Sequence, residues 1–511
     1  MDLETLLSYQ WGLMAPEFVI LGTATLLSLL DLFMGDKKSR KPLAWVGITG
    51  IIIALIFLIT QIGHEPADIL FGTYQFDPFA LAFKFIFLVG TAFVLLIGLN
   101  YEPKEGIGQY RGELYYLILT ALLGAMMMAS SADIITLFIG LETLSISSYI
   151  LAGINKKNLH SNEAAMKYII NGSIATAITL FGLSYIYGLS GSTNLYEIGA
   201  AMGSIADGEL GFLAGLAFII TFVGLSFKIA TVPFQMWAPD VYQGSPTPVT
   251  AFLSVVSKTA GFVIILRLLL TAFNSAPGLA EDDFNLLWSM KPLIVVLAAI
   301  TMIVGNTIAL RQTNIKRMFA YSSIAHAGYL LVPFLSLSPL WFEGIWFYLV
   351  AYLLMNLGAF AILQVVTTKA DSEEISSFAG LYRRAPLAAV AMAIFLLSLA
   401  GIPGTAGFIG KLNIFVGALG PVTTMGPYPG HLVLVSIMMA TTVISYFYYF
   451  RVMKTMFVGG AAAVAEESET SAKFQLPLGI TIVVALCVIG TIAFGIFPSL
   501  AFDFFYTLFG M

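Results

Sequence analysis

Ser226-Phe227-Lys228-Ile229-Ala230-Thr231-Val232-Pro233 and Leu399-Ala400-Gly401-Ile402-Pro403-Gly404-Thr405-Ala406-Gly407-Phe408-Ile409-Gly410-Lys411 decide the fold. Each stretch lies inside a long apolar segment and sets a lysine a turn or two from a proline. Proline removes a backbone donor and clashes with the preceding turn, and the glycines around Pro403 weaken the helix further. Both segments should therefore be discontinuous helices. Counted along the chain they are the seventh and the twelfth apolar segments. Five apart is an odd number, so they cross in opposite directions. The order flips as well: lysine precedes proline in the seventh and follows it in the twelfth. Broken helices at corresponding places in oppositely oriented halves are the signature of an inverted repeat built around a transport site.

Working outward, hydrophobic residues fill 59% of the 511 positions and charged residues 10%, with mean hydropathy +0.91. Such a composition excludes a soluble domain and implies an all-α polytopic membrane protein. Fourteen apolar segments reach spanning length, near 15–34, 43–62, 77–99, 112–129, 132–153, 163–189, 211–236, 247–272, 288–310, 315–336, 341–368, 387–419, 431–457 and 475–498. They form a single transmembrane domain over 1–511. Three leading helices occupy 15–99, one five-helix repeat about 112–272, its inverted counterpart about 288–457, and a final helix 475–498. The start, Met1-Asp2-Leu3-Glu4, lacks the basic flank of a cleaved signal peptide, so the first segment is expected to stay in the mature protein.

Alternate loops differ in charge. One set holds Lys37, Lys38, Arg40 and Lys41, then Lys104 and Arg111, then Lys156 and Lys157. After one loop without any, it continues with Arg311, Lys316 and Arg317, then Lys369, Arg383 and Arg384, then Arg451, Lys454 and Lys473. These are 17 of the 24 basic residues. The other set carries acids: Glu65 and Asp68, Asp207 and Glu209, and Glu281, Asp282 and Asp283. Positive residues mark the cytoplasmic face, so the protein is expected to be multi-pass with both termini on the non-cytoplasmic side.

Glu142, Lys228, Lys258 and Lys411 sit deep inside apolar segments five, seven, eight and twelve. Each such charge costs roughly 2.5–3.5 kcal/mol even on the gentler insertion scales. Moving a charge across the membrane is the usual return. Burial disfavours the charged form of either residue type and an opposite charge restores it, so a Glu–Lys pair is a bistable element. His326, midway along segment ten, can relay in either direction near neutrality. Neighbouring hydroxyls can hold bridging waters. The competing reading is that these groups are satisfied polar residues fixing helix packing. Lys84, Arg267 and Lys291 lie near segment ends and are expected to snorkel. Lys167, near the inner end of segment six, is open to either reading.

Other chemistries find no support. Gly404 to Lys411 has the wrong glycine spacing for a phosphate loop, and Leu412 stands where Ser or Thr is needed. Gly106, Gly108 and Gly112 form no dinucleotide fingerprint. The four histidines are scattered and suggest no metal cluster. The single cysteine, Cys487, can neither close an intrachain disulfide nor hold an iron–sulfur cluster. No nucleic-acid partner is expected, and any redox chemistry must belong to another chain.

The run from Lys228 to Phe252, KIATVPFQMWAPDVYQGSPTPVTAF, closely resembles the antiporter-like membrane subunits of the proton-pumping NADH–quinone oxidoreductase, respiratory complex I. So do Asn314 to His326, NIKRMFAYSSIAH, and the glycine–proline segment ending at Lys411. Sister subunits and multisubunit cation/proton antiporters typically read Pro-Phe-His-x-Trp-x-Pro-Asp-Ala at the break. Gln235 and Val241-Tyr242 here favour the subunit N branch. The resemblance implies about 14 transmembrane helices with two inverted five-helix repeats, in a bacterial cell (plasma) membrane. It implies Glu142 and Lys228 as a coupled pair, Lys258 as central relay and Lys411 as far-side site. His326 sits where a bridging relay is expected, and Lys167 matches a further family lysine. It also implies membership in a proton-translocating oxidoreductase, with the antiporter-like sisters and small membrane subunits as partners. NADH, flavin, iron–sulfur clusters and quinone are expected on partner subunits, with none in this chain. A subunit of a cation/proton antiporter, and a scaffold that completes a membrane arm, remain the alternatives.

Overall fold

In the computed structural model, residues 8–35, 38–101, 110–205, 209–279, 283, 285–336, 341–419, 429–458 and 473–510 are described. Lys37, Lys104, Gly106, Gly108, Asp207, Glu281 and Asp282 lie outside them, as does the side chain of Glu209. Among the described residues, thirteen helices are long and apolar enough to cross a membrane. In order, the first seven are α1 Ala15–Phe33, α2 Lys41–Thr60, α3 Pro78–Gly98, α4 Arg111–Ser130, α5 Ile134–Ala152, α6 Leu159–Ser190 and α7 Glu209–Ile229. There follow α8 Thr247–Thr271, α9 Leu286–Ala309, α10 Ile315–Leu331 and α11 Trp341–Ala370. A fourteenth crossing is split into α12 Pro386–Ala400 and α13 Ala406–Leu419, before α14 Pro429–Phe457 and α15 Leu478–Ile496. A short amphipathic helix, Ser499–Phe509, follows and was not anticipated. A two-stranded hairpin, Ala67–Ile69 with Tyr74–Phe76, caps the acidic-loop face.

Both anticipated breaks are present. The helix α7 ends at Ile229, Ala230 adopts a left-handed φ of 57°, and a short helix resumes at Trp237–Gly244. Gly401, at φ 84°, closes α12 in the left-handed conformation that favours glycine. A third irregularity was not anticipated: Leu253–Ser257 forms a π-helical turn within α8, directly before Lys258. Such turns are frequent at functional sites.

The two halves repeat their packing. The helix α4 lies along α5 as α9 lies along α10. The helix α6 packs on α7 and on Trp237–Gly244, as α11 packs on α12 and α13. The helix α8 returns to α4 as α14 returns to α9. Burial sets the layers: α8, α10 and α11 are almost wholly enclosed, while α1 and α6 show most of their apolar surface outward. A helix apolar on all sides suits that central position. Lys258 and His326 ride on two of these enclosed helices.

Candidate proton-transfer site

At the first break, freed backbone groups find partners from other elements. The Trp237 indole donates to the Phe227 carbonyl at 3.1 Å. The Val232 amide donates to Thr301 of α9 at 3.0 Å. With those carbonyl and amide groups met, the Lys228 ammonium is released to the neighbouring helix and donates to Ser145 Oγ at 3.1 Å. Ser145 lies one turn from Glu142 on α5. The Glu142 carboxylate accepts from Thr176 Oγ1 of α6 at 2.8 Å and makes no contact ion pair with Lys228. The expected Glu–Lys couple is thus held open, each partner on its own hydroxyl. A cavity of about 10 Å³ lies beside Lys228, lined also by both of these hydroxyl residues, Ser145 and Thr176, and by Tyr149 and Gly172. That is near the lower limit for one water.

From Lys228 the line passes to α8. A Cβ on Gly261 would meet Lys228 Cγ at 3.1 Å, so the lysine stem lies directly on Gly261. Gly261 is one turn beyond Lys258. The Lys258 ammonium donates to the Ser323 carbonyl at 2.7 Å and also to Ser323 Oγ. Ser323 Oγ in turn meets Tyr242 Oη at 3.2 Å. The buried hydroxyls of Tyr168, Ser226 and Thr259 have no hydrogen-bond partner. Native buried hydroxyls are seldom left unmet by protein or water, so these are natural water positions.

Ser323, His326 and Tyr329 stand three residues apart on α10 and share a face. His326 Nδ1 meets Tyr348 Oη at 2.5 Å, and its Nε2 meets Tyr449 Oη at 3.3 Å. Tyr449 Oη also contacts Ser322 Oγ at 2.5 Å. Beyond His326, the Lys411 ammonium lies 5.0 Å from the Tyr329 ring centre. It donates to the carbonyls of Leu399 at 2.9 Å and Ala400 at 3.0 Å, the groups exposed where α12 ends.

The structure buries Lys228, Lys258, His326 and Lys411 and sets the half-buried Glu142 at the Lys228 end of their line, but does not include Lys167. Lys167 is half exposed at the basic-loop edge, paired with Glu163 at 2.6 Å and Asp240 at 2.5 Å. Asp240 also binds Arg317 at 2.5 Å, so this network joins the resumed half of the first broken helix to the start of α10. Burial alone would raise the Asp240 carboxyl, but hydrogen bonds from Lys167 and Arg317 hold it below the ordinary carboxylate value.

Three snorkelling expectations are corrected. Lys84 is fully buried and ion-paired with Glu17 at 2.5 Å. Arg267 is buried on Asp77 at 2.5 Å. Lys291 is buried with its ammonium 3.4 Å from the Trp288 ring centre. For Lys84 and Arg267 a carboxylate on another element removes the need to reach water, whereas Lys291 lies against an aromatic ring of its own helix. Sequence reading also missed Ser145, Thr176, Tyr348 and Tyr449, which carry no charge and come from distant segments. The three-residue spacing of Ser323, His326 and Tyr329 was available as a signal. Among the described residues no group of three or more His, Cys, Asp or Glu could hold a metal ion.

The family described as NADH:quinone oxidoreductase/Mrp antiporter, TM, matches residues 131–426. The NADH-quinone oxidoreductase subunit N of Geobacillus sp. (strain WCH70) is 58% identical over 99% of this chain and 100% of its own length. The chain belongs to the NADH-quinone oxidoreductase subunit N family. A chain of respiratory complex I from Thermus thermophilus superposes on it with TM-score 0.75 at 30% identity, covering 96% of this chain and 98% of that one. A chain of the Mrp complex from Dietzia sp. DQ12-45-1b gives TM-score 0.80 at 18% identity, over 100% and 97% of the two chains. That likeness is one of fold alone. Sequence identity thus sides with the subunit N family over the cation/proton antiporters that share its architecture.

Proposed function

We propose that this chain translocates protons as a membrane-arm subunit of a bacterial NADH:quinone oxidoreductase. The observation that carries the reading is the line of buried Lys228, Lys258, His326 and Lys411, with the half-buried Glu142 at its Lys228 end and its middle set on the enclosed helices α8 and α10. Residues 112–272 and 288–457 act as two inverted units, each holding one broken helix. Glu142 borders a strip of exposed apolar residues that includes Ile139 and Ile146. A neighbouring subunit on that strip could deliver the signal from quinone reduction. Closing the gap between Glu142 and Lys228 favours both charges; opening it makes the lysine the better donor to the next group. The proton then passes to Lys258, His326 and Lys411 through hydroxyls and waters. Lys167 tunes the entrance as a charge at its edge. NADH, flavin, iron–sulfur clusters and quinone reside on partner subunits, and both termini face away from the cytoplasm.

Lys228→Ala in the assembled complex tests this reading. Coupled turnover should fall about a hundredfold or more, the scale of a positioned acid–base group. Full proton ejection per NADH in that variant would refute it.

A further inference from the structure

A second buried Glu–Lys pair stands outside the line described above. Lys84 of α3 and Glu17 of α1 are in contact at 2.5 Å, and both are closed off from solvent. Tyr74 Oη bridges them, 2.9 Å from Lys84 Nζ and 3.2 Å from Glu17 Oε1, and also reaches the Leu13 carbonyl at 3.2 Å. We propose that Glu17, Lys84 and Tyr74 form a second proton-exchanging site, which hands protons to the acidic-loop face of the membrane.

Three observations carry this. First, the site lies on a polar stripe. Lys84 and Thr91 are seven residues apart on α3, hence on one face, and Asp77 is the N-cap of that helix. Second, the stripe is tied to the helix that bears Lys258. Arg267 of α8 binds Asp77 and the Ala129 carbonyl at the outer end of the stripe. Gly90, next to Thr91, packs on Val256 in the π-helical turn just before Lys258; a Cβ there would meet Val256 at 3.0 Å. Third, one carboxylate oxygen of the pair and one hydroxyl each on α3 and α4 are unmet. Glu17 Oε2, Ser130 Oγ and Thr91 Oγ1 are buried without a hydrogen-bond partner. A purely structural ion pair would have its remaining lone pairs satisfied by protein groups. An unmet acceptor on the pair and unmet hydroxyls on α3 and α4 are what a short file of waters would occupy.

The exchange is balanced within the cluster. The Lys84 ammonium gives a proton to the Glu17 carboxylate, leaving a neutral amine and a neutral acid. The amine takes a proton from the water side toward Thr91, and the acid releases one toward the acidic-loop face. Tyr74 bridges donor and acceptor throughout.

This rests on the proton-translocating reading of the chain, and the two fail separately. The test uses the whole complex in proteoliposomes, with NADH and a quinone, reading protons ejected per NADH. Glu17→Gln/Lys84→Met removes both charges together, so no lone buried charge remains. Proton ejection should be lost or sharply lowered. Unaltered ejection in that variant, alongside loss in Lys228→Ala, would overturn this proposal and leave the main reading intact. Unaltered ejection in both variants would overturn both. If the double variant fails to assemble, Tyr74→Phe keeps the ion pair and removes one bridging oxygen. Slower coupled turnover with normal complex content supports the exchange role, and unchanged turnover overturns it. Infrared difference spectra during turnover should also show a carboxyl band that disappears in Glu17→Gln. Its absence from the unmodified complex would count against the proposal.

Discussion

The two broken helices solve the same backbone problem in different ways. At the first break the Trp237 indole takes the Phe227 carbonyl, and Lys228 turns away to Ser145 beside Glu142. At the second, the lysine itself does the backbone's work: Lys411 donates to the Leu399 and Ala400 carbonyls. The first lysine is therefore free to exchange partners, while the second is tied to the fold. In the proposed proton path this inverted pair of elements divides into a switch and an anchored terminus.

That contrast can be broken at either end. The largest effect is expected for Lys411→Ala, which removes the proposed relay group and strands two carbonyls deep in the protein. Unmet buried groups cost about 1–3 kcal/mol each, so the amount of assembled complex in the membrane should fall along with turnover. Lys228→Ala should lose coupled turnover to a similar extent but keep normal complex content, because the Phe227 carbonyl still has Trp237. Quantitative immunoblotting of native gels alongside quinone reduction separates the two. Equal complex content in both variants would erase the distinction.

A smaller effect is expected when the backbone partner at the first break is removed. Trp237→Phe keeps an aromatic ring against Tyr168, on which Trp237 stacks at 4.5 Å, but loses the indole donor. The Phe227 carbonyl should then compete for Lys228. Thermal stability should drop by about 1–3 kcal/mol, and turnover should fall less than in Lys228→Ala. Activity equal to the parent would show that the carbonyl does not capture the lysine.

The smallest effect concerns the rim. Asp240 has a folded-state pKa below its unfolded value. Its contribution to stability is therefore fully present above the ordinary carboxylate pKa, about 3.9, and is lost as pH falls through the lower folded value. Asp240→Asn should lower the melting temperature near pH 7. The difference from the parent should shrink as the pH is taken toward and below the carboxylate range. A gap that widens on acidification would contradict this sign.

Both breaks were legible in the sequence because proline and glycine act locally, on the turn that holds them. The four charges within apolar segments were legible because such a charge is costly wherever the segment packs. Partners were not. Ser145, Thr176 and Tyr449 are uncharged and far away along the chain, so only the packing of helices reveals them. Lys84 and Arg267 were misplaced for a related reason. Position near a segment end permits snorkelling, but Glu17 and Asp77 on other elements make burial the better solution. The π-helical turn before Lys258 leaves no proline or glycine mark: Leu253-Ser254-Val255-Val256-Ser257 reads as ordinary helix.

In the proposed path a proton crosses between the two halves at Lys258, the one lysine of the line that meets neither a carboxylate nor a helix break. Lys258→Met keeps the length of the side chain and removes the transferable proton. Measured as protons ejected per NADH oxidised by the assembled complex in sealed proteoliposomes, Lys258→Met should abolish ejection while complex content stays normal. Full ejection in that variant would mean that protons do not pass through Lys258, and that the chain serves the membrane arm as a scaffold.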